Sequence, residues 1–187
     1  MAGIFCSEKK LNDTLLYIAN LLNDNKFEIW FIAYGTLLGI VRNKSCIDGD
    51  DDIDIICDGK DFKKLKTLLS KNKFEFEYGY GIGDTKKIIK TKENNKFASI
   101  DFYMTEVNSL GDFKDLWEKT VWKKCFFRRK GEFIKMKWNR TVLNLPNNYI
   151  KKLESRYGST WKIPIKSKGI QRGKLQTFIL NSYLKLP

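Results

Sequence analysis

Residues 48–57 read DGDDDIDIIC, and this short stretch decides how the rest of the chain is interpreted. Its first seven positions hold five aspartates, which repel one another at neutral pH unless a cation offsets their charge. Asp52 and Asp54 alternate with Ile53 and Ile55, as expected of a β-strand with one polar face and one buried face. We therefore predict that a strand places the two acids on one face, with Cα atoms about 6.6 Å apart, where they bind a divalent cation.

Two simpler interpretations of the acidic stretch are a calcium loop and a solvated turn. An EF-hand calcium loop that starts at Asp50 needs glycine at its sixth position and glutamate at its twelfth. The chain has Ile55 and Asp61 at those positions, so both the glycine and the glutamate of the EF-hand pattern are missing. A solvated acidic turn stays open, although it leaves the alternation of acids with isoleucines unexplained.

A further acid, Asp101, lies between apolar neighbours in a second predicted strand, residues 97–104. By itself it is weak evidence, because single acids are common at strand edges. With Asp52 and Asp54 it completes the three carboxylates that a two-metal phosphoryl-transfer site requires. The expected cofactor is two Mg²⁺ or Mn²⁺ ions, and Asp101 can also accept the proton of an attacking hydroxyl.

Gly35 and Thr36 follow an apolar run, residues 27–33, that predicts a buried strand. A glycine here lets the backbone approach a ligand closely, and N–H groups at the start of a following helix bind phosphate oxygens. A simple turn accounts for the same residues. Because they lie just upstream of the acids, we predict that Gly35 and Thr36 bind substrate phosphates.

The remaining pattern predicts one α/β (α+β) domain, with a mixed central sheet flanked by helices. Amphipathic spacing predicts helices over residues 8–23, 61–70, 112–119 and 146–157, and one or two helical turns over 37–41. Apolar and alternating runs predict strands over residues 27–33, 53–57, 97–104 and within 121–145, and a hairpin with three glycines over 74–90.

The composition narrows the possible functions. An apolar share of 42% is enough for a core, and the absence of histidine excludes catalytic triads that use one. The four cysteines form no CxxC pair, which argues against a structural zinc site. We see no signal region and no apolar run near ~20 residues, so we expect no membrane span, free thiols and a cytoplasmic location.

The net charge of +13 would attract phosphates, acidic glycans, membrane surfaces or nucleic acid. The lysines are spread along the chain, and the lysine-rich composition of an A/T-rich genome explains the charge equally well. A nucleic-acid groove more typically concentrates arginine and aromatic side chains on one surface. The spread of the lysines therefore argues against nucleic acid as a partner, whereas the net charge argues for it.

Several separated motifs together resemble the LicD/fukutin family. They are Gly-Thr-Leu-Leu-Gly at 35–39, Val41-Arg42, the run from Asp50 to Ile55, and a C-terminal block with Leu145-Pro146, Tyr157-Gly158 and Trp161-Lys-Ile-Pro164. The match spans roughly residues 10–165, and the spaced pattern is more specific than any of its parts.

The resemblance implies a nucleotidyltransferase superfold in a catalytic domain over residues 1–165, with residues 166–187 as a basic C-terminal extension. It implies that Asp52, Asp54 and Asp101 bind the metal ions, with Asp50 as a further ligand or a neighbour of the ligands. It also places Arg42 where the family has a basic residue suited to a phosphate.

The chain departs from the family at Asp48-Gly49, where many relatives carry Pro-Trp at the edge of the substrate site. The C-terminal aromatic positions are open as well. Tyr149 and Leu153 fit the core of a helix, whereas Tyr157 and Trp161 fit either the core or the wall of a substrate pocket.

Characterised members of that family transfer phosphocholine from CDP-choline, or ribitol phosphate from CDP-ribitol, to sugars. The resemblance thus implies a phosphotransferase that uses a CDP-linked donor and a glycan hydroxyl or small-molecule acceptor. One alternative is a minimal nucleotidyltransferase that adds NMP to a small molecule or a protein. Another is a catalytically retired module that binds polyanions or nucleic acid, against which the intact acids argue.

Overall fold

The computed structural model describes residues 5–79, 85–128 and 131–164. Within these residues the helices are α1 (Glu8–Asp24), α2 (Tyr34–Asn43), α3 (Phe62–Lys71) and α4 (Tyr149–Tyr157). The strands are β1 (Trp30–Ile32), β2 (Asp52–Asp58), β3 (Ile88–Lys90), β4 (Ser99–Val107), β5 (Phe113–Asp115), β6 (Val121–Trp122), β7 (Ile134–Trp138) and β8 (Thr141–Leu145). A short 3₁₀ turn, Gly59–Asp61, joins β2 to α3.

The main sheet has the strand order β1-β2-β4-β5-β6, and β3 is its sixth strand, paired with β4. The central pair, β2 and β4, is parallel, whereas the other pairs are antiparallel. β7 and β8 form a separate hairpin beside β1, where the Asn144 side-chain amide donates to the Trp30 carbonyl at 2.8 Å. The mixed sheet and the accompanying helices confirm the predicted fold class.

The two faces of β2 differ in chemistry. Ile53 and Ile55 are completely buried, as their alternation with the acids predicts. The opposite face carries Asp52 and Asp54 and continues into an apolar cluster rich in aromatic rings. The buried members of this cluster are Phe31, Ala33, Tyr34, Ile56, Ile88, Tyr103, Phe113, Cys125 and Phe133.

Two elements near the start of the chain have bounds that differ from those predicted. The strand predicted over residues 27–33 is shorter, because the Phe27 N–H still bonds to the carbonyl of Leu22 at the end of α1. The helical turns predicted over 37–41 extend to ten residues, and the helix begins at Tyr34.

The helix predicted over residues 112–119 is wrong. Phe113–Asp115 form β5, and the chain then turns instead of continuing as a helix. The Asp115 carboxylate accepts the N–H groups of Trp117 and Glu118, at 2.8 and 2.9 Å, and so closes the turn that follows the strand. A side chain that bonds to nearby backbone competes with helix formation in this way.

The hairpin predicted over residues 74–90 is visible where its two arms meet. The Glu77 N–H donates to the Lys90 carbonyl at 2.9 Å, and the Lys92 N–H donates to the Glu75 carbonyl at 2.8 Å. Two glycines of the predicted hairpin, Gly81 and Gly83, lie outside the described residues, as does the predicted C-terminal extension over 166–187.

The chain divides into two compact units, Met1–Leu153 and Glu154–Pro187. In the second unit, Gly158 has a φ of +83° and ends α4, as the sequence predicts. Trp161 is 6% exposed, which favours the core interpretation of this side chain. In the first unit Leu153 is 2% exposed and belongs to the core, while Tyr149 is half-buried.

The structure also describes the cysteines and the lengths of the helices. Cys6, Cys46, Cys57 and Cys125 are all buried and are present as thiols. Among the described residues, every helix is too short or too polar to cross a membrane.

Gly39 lies where α2 packs closely against the loop that leads to β2. A Cβ atom at this position would lie 2.6 Å from the carbonyl oxygen of Ser45 and 3.0 Å from the nitrogen of Ile47. Both neighbours are backbone atoms, so the contact cannot be relieved by rotating a side chain. The second glycine of the Gly-Thr-Leu-Leu-Gly segment is therefore required for packing.

We predict that Gly39→Ala destabilises the fold by about 1–3 kcal/mol, because overpacking outweighs the usual gain of replacing a helical glycine. Urea denaturation followed by circular dichroism measures the change. Asn43→Ala, at an exposed position in the same helix, is the control and should change stability little. A Gly39→Ala variant as stable as the wild type would show that the loop moves away without cost.

Candidate active site

The parallel pairing of β2 with β4 brings the three predicted acids to one face of the sheet. Asp54 is the register partner of Asp101, and Asp52 is the partner of Ser99. Partners in adjacent strands point to the same face, so the carboxylates of Asp52, Asp54 and Asp101 converge. Asp54 and Asp101 are each only 7% exposed, which makes their charges costly without compensation.

A second group of acids lies at the start of β2. Carboxylate oxygens of Asp50, Asp51 and Asp52 all lie within 4.8 Å of one another, and among the described residues they form the group with the spacing of metal ligands. Oxygen donors of this kind suit Mg²⁺ or Mn²⁺. The residues therefore fit a divalent cation, and Asp51 joins the candidates that the sequence indicated.

Gly35 and Thr36 contact Asp54 directly. The Gly35 N–H donates to Asp54 Oδ2 at 3.0 Å, and the Asp54 N–H donates to Thr36 Oγ1 at 2.8 Å. A Cβ atom on Gly35 would lie 2.7 Å from Asp50 Oδ2, so only glycine fits between the helix and the acids. The start of α2 thus holds a carboxylate of the protein itself, and its partial positive charge favours that carboxylate.

Tyr34 fixes the start of α2. Its φ of +43° is unusual for an aromatic residue, and the surrounding contacts hold it in place. The Tyr34 hydroxyl donates to Asp115 Oδ2 at 2.7 Å and accepts from Trp122 Nε1 at 3.4 Å. The ring also packs edge-on against Tyr103, with centroids 4.9 Å apart. Because Gly35 is the next residue, this anchor sets the direction of the N–H that binds Asp54.

Tyr103 completes the support of Asp54. It lies two residues after Asp101 in β4, and its hydroxyl donates to Asp54 Oδ1 at 3.3 Å. Both carboxylate oxygens of Asp54 thus accept a hydrogen bond from the protein. An anchored carboxylate of this kind keeps its orientation when a ligand binds beside it.

Lys90 provides positive charge within the cluster. It is the register partner of Asp101 in β3, and its Nζ lies 2.6 Å from Asp101 Oδ1 and 3.5 Å from Asp52 Oδ2. Burial lowers the pKa of Lys90, but the charges of Asp101 and Asp52 outweigh burial and the net shift is upward. The ammonium therefore stays charged.

Burial and crowding raise the pKa values of the acids. Burial is the largest cause for Asp52, followed by the charges of Asp101 and Asp51, and together they raise its pKa to about 7. Burial and the charge of Asp52 raise the pKa of Asp54 well above its ordinary value. Burial also raises the pKa of Asp101, although Lys90 opposes this shift. A further cation at this face would stabilise the ionised acids.

Two buried polar groups near these elements have no hydrogen-bond partner in the described part of the chain. One is Ser99 Oγ, on the acid-bearing face beside Asp52, and the other is Arg42 Nε, in the last turn of α2. Arg42 also forms no ion pair with an acid among these residues. Buried groups of this kind usually have a partner, so both are candidates for contact with a ligand.

Sequence reasoning missed Asp51, Ser99, Tyr103 and Lys90. Tyr103 and Ser99 carried a signal, since each is two residues from Asp101 in a strand and therefore shares its face. Asp51 belongs to the acidic run, but it was not singled out as a ligand. Lys90 carried no signal, because its place depends on the register of β3 with β4.

The chain is similar to known proteins in both sequence and fold. The family model described as LicD/FKTN/FKRP, nucleotidyltransferase domain, matches residues 29–165. Among solved structures, the lincosamide antibiotic adenylyltransferase LnuA, with lincomycin bound, is similar over 98% of this chain and 99% of its own, with 13% identity and a TM-score of 0.57. At this identity the likeness shows a shared nucleotidyltransferase fold.

A second solved structure is the CdnE cyclic dinucleotide synthase of Elizabethkingia meningoseptica with GTP and Apcpp. The match covers 86% of this chain and 59% of that chain, with 14% identity and a TM-score of 0.35. A search of curated protein sequences finds no significant match.

The raised pKa of Asp52 predicts how stability depends on pH. Its pKa rises from 3.8 to about 7 on folding, so the unfolded chain releases this proton first and the folded state loses stability as pH rises across that interval. Asp52→Asn removes the charge, and we predict that it stabilises the metal-free fold at pH 8 by on the order of 2 kcal/mol.

Thermal melting with EDTA at several pH values between 5 and 8 measures this difference, which should shrink towards pH 5. Asp58→Asn, at the other end of β2, is the control and should melt like the wild type. Mn²⁺ should raise the melting temperature of the wild type more than that of Asp52→Asn. An Asp52→Asn variant that melts no higher than the wild type at pH 8 would contradict the conclusion that the crowded carboxylates destabilise the metal-free fold.

Proposed function

The chain belongs to the LicD/FKTN/FKRP nucleotidyltransferase-domain family, and from this premise we propose that it is a metal-dependent phosphotransferase with a CDP-linked donor. The family and the fold make the protein a transferase of the nucleotidyltransferase type. The donor carries a phosphoalcohol or phosphosugar, such as phosphocholine or ribitol phosphate, and the acceptor is a glycan hydroxyl or a small molecule. We place the reaction in the cytoplasm.

One observation supports this proposal above the others: Asp52, Asp54 and Asp101 converge on a single face through the β2–β4 register. Carboxylates in that arrangement suit the binding of divalent cations that neutralise phosphate charge. Asp50 and Asp51 extend the same cluster on the side of the loop. When bound, Mg²⁺ or Mn²⁺ would supply Lewis-acid polarisation of the transferring phosphate.

The proposed reaction exchanges one phosphate ester bond for another. The acceptor hydroxyl oxygen attacks the phosphorus that carries the alcohol, the bond from that phosphorus to the bridging oxygen breaks, and CMP leaves. The hydroxyl proton passes to a base, for which Asp101 is the candidate because it lies buried at the centre of the site. Gly35, Thr36 and Tyr103 act by holding Asp54, and Arg42 contacts the donor phosphates.

We predict that the protein releases CMP from at least one CDP-linked donor in the presence of Mg²⁺ or Mn²⁺. The donors are CDP-choline, CDP-ribitol and CDP-glycerol, with nucleoside triphosphates in parallel, and ³¹P NMR identifies the products. Asp54→Ala should reduce the rate by at least about 100-fold, because it removes a buried carboxylate from the centre of the acidic cluster, whereas Asp58→Asn should not.

Each other outcome has a defined meaning. Pyrophosphate release from a nucleoside triphosphate, with CDP-linked donors left intact, would show transfer of NMP and contradict the proposed donor. No cleavage of any compound and no thermal shift would contradict catalysis and favour a module that binds polyanions, which tight, salt-sensitive binding of single-stranded DNA would support.

The buried Nε of Arg42, which has no partner among the described residues, gives a more local prediction. If the buried Nε of Arg42 forms a hydrogen bond with a phosphate of the CDP-linked substrate, Arg42→Lys loses a bidentate contact. The dissociation constant for the substrate that is cleaved should then rise about 10-fold or more. Isothermal titration calorimetry measures the change. Arg140→Lys, at an exposed position, is the control. A loss of stability in Arg42→Lys without loss of donor affinity would instead mark Arg42 as a structural residue.

A further inference from the structure

Lys90 lies where a cation between two of the predicted metal ligands would lie. Its Nζ is 2.6 Å from Asp101 Oδ1 and 3.5 Å from Asp52 Oδ2, and among the described residues these are the ion pairs that Asp52 and Asp101 form. The side chains of Lys90, Asp101 and Asp52 are 26%, 10% and 17% exposed, respectively, so water screens the contact only in part.

The backbone fixes this arrangement. Lys90 and Asp101 are register partners in β3 and β4, so their side chains leave the sheet on the same face. The Lys90 carbonyl also accepts from the Glu77 N–H at 2.9 Å, which pins the end of β3 from its other side. The ammonium is thus placed by the strand and not by the chance rotamer of a surface lysine.

An ammonium in this place competes with a divalent ion. Mg²⁺ needs ligand oxygens at about 2.0–2.1 Å in an octahedral arrangement, and it would share Asp101 Oδ1 and Asp52 Oδ2 with the ammonium. Two cations on the same two carboxylates repel each other strongly in a partly buried site. Lys90 and an ion that bridges Asp52 and Asp101 therefore exclude each other.

We propose that Lys90 is a built-in cation that takes the place of one of the two divalent ions, so that each chain binds a single Mg²⁺ or Mn²⁺. The single ion lies on the side of Asp50, Asp51 and Asp52, whose carboxylate oxygens have ligand spacing. This inference rests on the proposed function in that the acidic cluster binds a divalent ion. It replaces the expectation of two ions that the acids alone suggest.

A fixed ammonium has a direct consequence for the reaction. It offsets the charge of Asp101 and Asp52 whether or not a metal ion is present, so a donor diphosphate meets less repulsion as it approaches. Unlike a bound ion, it does not dissociate with the product. Lys90 would then contribute to the binding of the donor as well as to the stability of the cluster.

The test is the number of Mn²⁺ ions bound per chain, measured by electron paramagnetic resonance of free Mn²⁺ during titration of the purified protein. The wild type should bind one ion, and Lys90→Met should bind two, because methionine keeps an unbranched apolar chain without the charge. Lys92→Met is the matched control and should bind one ion. Lys92 lies two residues along the chain and pairs only loosely with Glu75, at 3.7 Å.

Two bound ions in the wild type would overturn this inference and leave the proposed function standing. One ion in both the wild type and Lys90→Met would also overturn it, because the ammonium would then occupy no cation site. No Mn²⁺ binding by the wild type would contradict both the inference and the metal-dependent function. If Lys90→Met does not fold, Lys90→Gln takes its place. The number of Mn²⁺ ions bound by the wild type and by that second variant then decides.

Discussion

The pairing of β2 with β4 is the constraint on which the rest of the site depends. It sets Asp54 beside Asp101 in a sheet whose other face is packed with isoleucine and phenylalanine, so the acids cannot separate without disrupting the core. The fold compensates with short-range contacts: the Gly35 N–H and the Tyr103 hydroxyl bind Asp54, and the Lys90 ammonium binds Asp101. The Tyr103 contact depends on the register of β2 with β4, and the Lys90 contact depends on the register of β3 with β4.

This arrangement links stability to chemistry. Buried acids with raised pKa values weaken the metal-free fold near neutral pH, and the same crowding raises affinity for a divalent cation. The close approach of α2 also serves the site. Gly35 leaves room for Asp50 Oδ2, and Gly39 leaves room for the loop that carries the acids. The glycines of the Gly-Thr-Leu-Leu-Gly segment therefore serve the site through packing.

Much of the fold could be predicted from the sequence, because local patterns specify it. The alternation in residues 52–57 predicts β2 and the side from which its acids project, and amphipathic spacing predicts α1 and α3 closely. The helix predicted over residues 112–119 failed because Asp115 bonds to backbone N–H groups two and three residues ahead, a choice that spacing does not reveal. Lys90 could not be found, because only non-local pairing brings it to Asp101. The phosphate role of Gly35 and Thr36 stays a prediction, and in the structure both residues form hydrogen bonds with Asp54.

We propose above that the β2–β4 register builds a site for a divalent cation at Asp52. The most direct measurement is anomalous diffraction from crystals of the protein grown with Mn²⁺, collected near the manganese absorption edge. The account predicts an anomalous peak within coordination distance, about 2.0–2.4 Å, of an Asp52 carboxylate oxygen, with Asp50 or Asp51 as a further ligand. A well-ordered acidic cluster without a peak, or peaks only at acids remote from β2, would contradict it.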